Sequence, residues 1–88
     1  MNNARRAELA RIEGLVGDLE ALLGEIQEAL EMVRDEEQES FDNLPEGLQQ
    51  TERGETMSAA IEYLDDAISD VQDVDTSNIL NNIAEASA

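Results

Sequence analysis

Almost every side chain here that could do chemistry is a carboxylate. Asp and Glu together number 22 against five Arg, with no Lys, His or Cys, and the formal net charge is −17. The acids are unevenly placed: residues 35–75 carry fourteen of them against Arg53 alone, while residues 1–34 carry seven acids and four Arg. Glu62, Asp66, Asp70 and Asp73 recur at spacings of 4, 4 and 3, which on a helix makes a single row. Asp35, Glu36, Glu37 and Glu39, followed later by Asp65, add to the same half of the chain. Like charges one helical turn apart repel by about 0.2–0.5 kcal/mol per pair, and acids at a helix C-terminus oppose the macrodipole. Helix stability alone would not select this arrangement.

Two kinds of chemistry could follow from it. Carboxylates one turn apart, about 6 Å, repeat at a separation comparable to that of phosphates along a DNA strand, so such a face suits a basic groove and electrostatically steered capture. Read plainly, the same face is a solvated, solubilising surface, and both readings stay open. The second chemistry is cation binding. Glu36-x-x-Glu39 followed by Glu62-x-x-Asp65 resembles the paired acidic motifs of all-helical nucleoside-triphosphate pyrophosphohydrolases, a resemblance that implies carboxylate-held Mg²⁺ and attack by water on a phosphate chain. The pattern is unspecific in a chain one-quarter acidic: Glu25-x-x-Glu28, Glu28-x-x-Glu31 and Glu52-x-x-Glu55 also occur. Asp73-x-Asp75-x-Ser77 begins like a calcium loop, but the sixth position is Asn78 where Gly is needed, and the twelfth is Ala84 where Glu is needed. Without His or Cys there is no transition-metal set and no nucleophile–base pair. The expectation is a protein that is not an enzyme and uses no cofactor or metal.

The elements that must position these acids are helices. Leu9, Ile12, Val16, Leu19, Leu23, Ile26, Leu30 and Val33 are spaced 3, 4, 3, 4, 3, 4, 3. In heptad terms Leu9, Val16, Leu23 and Leu30 occupy a, and Ile12, Leu19, Ile26 and Val33 occupy d. Leu15, Leu22 and Ala29 at g widen the stripe, enough for more than one neighbour. A helix over residues 3–39 is about 55 Å long, too long for so small a chain to cover unless the second half folds back along it. Met57, Ile61, Leu64, Ile68 and Val71, with Ala60, Ala67 and Val74 alongside, supply the returning helix over 51–74. Pro45 and Gly47 mark a connection over 40–50 in which Phe41, Leu44 and Leu48 are apolar, and Thr51 is the expected N-cap of the second helix. A short C-terminal helix is expected over 78–86. The fold class is therefore all-α: one domain, 1–88, a long helical hairpin with a short third helix, assembling as a dimeric helical bundle.

One further stripe stands out. Ala10, Gly14, Gly17, Ala21 and Gly24, spaced 4, 3, 4, 3, form a ridge of small residues opposite the a/d seam. Three glycines inside a helix cost about 0.8–1.0 kcal/mol each relative to Ala, so a close-packed helix or partner there is one reading and tolerated drift on an exposed face is the other.

The stretch from Arg34 to Leu64 resembles a group of short acidic proteins encoded by phages and prophages. The shared features are the Phe41–Gln49 connection (FDNLPEGLQ), the Glu52–Met57 start of the second helix (ERGETM) and Ala60 to Leu64 after it. The resemblance implies a phage or mobile-element context and, by association, an inhibitor of host nucleic-acid-handling machinery; it carries no functional residues over. Taken together, the sequence leads to an acidic binding module for a basic, nucleic-acid-binding host protein, of anti-CRISPR or anti-restriction type. Its partner-binding residues are Asp35, Glu36, Glu37, Glu39, Glu62, Asp65, Asp66, Asp70 and Asp73, and the small ridge serves as an oligomer or close-helix contact. The rival is a self-associating structural module whose charge only solubilises it. Direct nucleic-acid binding and membrane docking are disfavoured by the charge, and a cytoplasmic location is the default expectation.

Overall fold

A computed structural model describes residues Met1–Ala88, and it is all-α with no strand. Four helices follow in order: α1 (Asn3–Asp42), the single turn α2 (Glu46–Gln49), α3 (Glu52–Gln72) and α4 (Thr76–Ser87). Asn2 starts α1 by accepting the Arg5 N–H on its side chain at 2.9 Å, and no breaker intervenes for 40 residues. The molecule is a rod of 68 × 15 × 13 Å. Its Cα radius of gyration is 20.4 Å, against about 12 Å for a compact domain of this length.

Three bonds fix how α3 and α4 lie on α1. Arg34 bonds to Asp65, Glu20 accepts the Thr76 hydroxyl, and Arg6 Nε donates to the Ser87 carbonyl. As the α1 residue number falls, its partner's number rises almost step for step. α3 and α4 therefore form one antiparallel run along the whole of α1, interrupted but not redirected at Asp73–Asp75. The interruption is chemical: the Asp75 side chain accepts the Asn78 N–H at 2.9 Å and caps a new helix.

The structure corrects the expected boundaries. α1 runs past Glu39 to Asp42, because Ser40, Phe41 and Asp42 do not break a helix and Pro45 acts only on Leu44 before it. The 40–50 connection therefore contains the end of α1 and the turn α2. The second helix spans Glu52–Gln72, short of the expected 51–74, and α4 spans Thr76–Ser87, longer than 78–86 at both ends. Thr51 stands at the N-cap position with extended backbone, but its side chain does not cap α3; the hydroxyl donates to the Leu48 carbonyl at 2.5 Å.

The a/d seam is also revised. Leu9, Ile12 and Val16 are covered at the α4 end, but farther along the covered residues are Leu23, Gln27, Leu30, Arg34, Glu37 and Phe41 at a and e, with Glu31 and Gln38 at b. A strict heptad slips about 20° per repeat against a straight α-helix, so a nearly straight partner meets successive columns. α3 follows that drift, and Leu19, Ile26 and Val33 at d are left exposed. Only Val16 and Ile68 among the apolar residues are buried, and they keep 8% and 7% of their surface exposed.

Candidate functional site

The acids that the sequence singles out fall into two settings. Glu62, Asp66 and Asp70 on α3 and Asp73 at its C-cap are all exposed, and none takes part in a side-chain hydrogen bond or ion pair. They form a solvent-facing row about 16 Å long. Asp65, next to that row, is engaged: its Oδ1 accepts Arg34 Nη1 at 2.9 Å, and Arg34 Nε also bonds Asp35 at 3.0 Å. These two carboxylates, Asp65 first, hold the Arg34 guanidinium above its ordinary pKa. Near the end of α1, Asp35, Glu36 and Glu39 are exposed, while Glu37 is half-buried on the side facing α3. The last turn of α1 contains no basic residue to offset its dipole. The acidic half is thus a surface whose one ion-paired cation is Arg34, set between the helices, while Arg53 is exposed and forms no ion pair.

The cation-binding alternative gains nothing from this geometry. Asp65 of the Glu36/Glu39/Glu62/Asp65 set is committed to Arg34, and no group of three carboxylates in the fold is placed to share a cation.

The connection between the helices turns out to be a built joint. Gln49 Nε2 donates to the carbonyls of Phe41 and Leu44, both at 3.2 Å, and so ties the turn α2 back to the end of α1 and the residues just after it. Pro45 O accepts the N–H groups of Leu48 and Gln49 at 2.8 and 3.2 Å, which closes the α2 turn. Gly54 is buried because the backbone of Gln49 lies directly against it, and a Cβ there would sit 2.7 Å from Gln49 Cα and closer still to its carbonyl. The apolar periodicity gives neither Gly54 nor Gln49 a role. The signal for both was a glycine and an amide, ambiguous without the fold. Phe41 and Leu44 are half-buried at this joint, whereas Leu48 and Arg53 are exposed. Beside it lies an open depression of about 610 Å³ lined by Phe41, Gln49, Gln50, Glu55, Ser58, Ala59 and Glu62.

The small ridge is open. A Cβ added at Gly14, Gly17 or Gly24 would meet nothing within 4 Å, so no helix of this chain docks there. No helix is long and apolar enough to cross a membrane. Neither protein-family models, nor curated proteins, nor solved structures give a match to this chain.

Proposed function

We propose that the chain is a non-enzymatic, phage-encoded binding protein whose acidic second half occupies the basic groove of a nucleic-acid-binding host protein, such as a restriction or CRISPR effector. The observation that carries this reading is the row Glu62, Asp66, Asp70 and Asp73: four exposed carboxylates with no partner inside the molecule, along α3 and at its C-cap, where like charges oppose the helix. Arg34 is spent on Asp65 and Asp35, and neither it nor Arg53 forms an ion pair with the row, which stays free for a partner. A face of one sign speeds encounter with an opposite one and disfavours nucleic acid and anionic membranes as ligands. The phage context rests on the resemblance of the Phe41–Gln49 connection.

The test is capture from a host lysate on immobilised wild-type chain, with elution by increasing salt and competition by duplex DNA. Nucleic-acid-binding proteins released by moderate salt and displaced by DNA are expected, and their capture should fail with the E62Q/D66N/D70N variant. Capture that survives high salt and these three substitutions would contradict the reading. A self-associating structural role is the second reading, favoured by the apolar residues α3 leaves uncovered on α1. It predicts no dependence of function on the acidic row.

A further inference from the structure

α1 carries a second apolar face that nothing in the chain covers. Leu15, Leu19, Leu22, Ile26, Ala29 and Val33 follow one another at spacings of 4, 3, 4, 3 and 4, and every one is exposed. Leu15 is 51% exposed, Leu22 54%, Ile26 47% and Val33 51%. α3 has no equivalent: Met57, Ala60, Ile61, Leu64, Ala67, Ile68 and Val71 are all half-buried or buried against α1. The free face spans about 27 Å, five turns of helix.

We infer that this face binds a second copy of the chain, antiparallel, through an α1–α1 contact with a two-fold axis near residue 24. The first support is area. The chain exposes 6357 Å², whereas a compact monomer of its mass exposes about 5,100 Å². The excess of roughly 1,200 Å² exceeds the ~800 Å² that each partner contributes to a stable interface of standard size. The second support is charge, which selects the orientation. α1 carries Arg5, Arg6 and Arg11 near its start and Asp35, Glu36, Glu37, Glu39 and Asp42 near its end. A parallel pairing stacks the acidic ends on each other. An antiparallel pairing centred on the free face sets the arginines of each copy beside the acidic end of the other, and Arg5 makes no ion pair within its own chain. The same centring places Leu22 opposite Ile26 and the bulky Leu19 opposite the small Ala29, a combination that interdigitates. The contact is self-complementary, as a closed two-fold interface must be. It stands independently of the reading of the acidic row, which lies on α3 away from this face and would appear twice in the dimer.

Sedimentation equilibrium on the full chain tests the assembly, and cysteine cross-linking tests the orientation in a chain that has no native cysteine. The wild type is expected at twice 9.7 kDa, and L22Q/I26Q is expected to weaken the dimer about a hundredfold while circular dichroism still reports helix. Mixed L19C and A29C chains should cross-link to each other, and L19C alone should not cross-link to itself. A monomeric wild type, an L22Q/I26Q variant that still dimerises, a trimer or tetramer, or efficient L19C self-cross-linking would each overturn the proposal. Should L22Q/I26Q lose its helicity, the L19C and A29C results decide alone.

Discussion

Arg34 and Asp65, 31 residues apart in sequence, are joined by a 2.9 Å hydrogen bond that is the one ion pair between α1 and α3. It sits where the two most acidic stretches of the chain come together, so removal of Arg34 leaves Asp35 and Asp65 without a counter-charge. Arg34 keeps 32% of its side chain exposed and Asp65 51%, so solvent screens the pair and its contribution is small. Arg34→Gln should therefore lower Tm by only a few degrees, measured by circular dichroism, and the loss should shrink as salt is added. A much larger loss would mean that the pair organises the hairpin instead of trimming local repulsion.

The glycines separate by position. Gly54→Ala pushes a methyl group into the Gln49 backbone and should cost about 1–3 kcal/mol in denaturant unfolding. Gly14→Ala and Gly17→Ala, which meet nothing within 4 Å, should each stabilise the chain by up to about 1 kcal/mol. If those two alanines leave partner capture unchanged, the small ridge is not a docking surface; if they abolish it while stabilising the chain, it is.

How legible this was from sequence differs by level. The helical hairpin was legible because an unbroken 3–4 apolar period through residues 9–33 and its counterpart through 57–71 admit no other regular structure. The columns that meet were not. Leu19, Ile26 and Val33 carry the same apolar signal as Leu23 and Leu30, and only the drift of a straight helix pair decides that Gln27 and Arg34 face α3 instead. Among the acids, the sequence places Asp65 beside Asp66 with nothing to distinguish them, yet one is bonded to Arg34 and the other faces solvent. That difference depends on inter-helix register, which Gln49 and Gly54 set by fixing the joint. Their roles are contacts between backbone and side chain, invisible to periodicity.

The acidic row should act on stability and binding with opposite signs. E62Q/D66N/D70N relieves about 0.2–0.5 kcal/mol for each like-charge pair one turn apart, so the variant should melt higher than the wild type. Added salt should raise the Tm of the wild type more than that of the variant, because it screens the same repulsion. A variant that melts lower would show that these carboxylates have partners within the fold.

At the other end of α1, Glu8 accepts Arg11 Nη2 at 2.6 Å, and this hydrogen bond together with the nearby charge holds the Glu8 carboxyl below the ordinary glutamate value. A depressed folded-state pKa contributes stability above the unfolded value and loses it as pH falls through the folded one. Both side chains are exposed, so the contribution is small. Side-chain NMR titration should find Glu8 titrating below the ordinary glutamate value, and Arg11→Gln should raise it toward that value.

The most direct measurement of the central claim is the affinity of a captured basic partner for the wild type and for E62Q/D66N/D70N, followed across a salt series. An acidic face seated in a basic groove predicts a wild-type affinity that falls steeply with salt, and a variant that binds more weakly and with a shallower salt dependence. Equal affinities with parallel salt dependence would contradict it and leave the acidic row a solubilising surface.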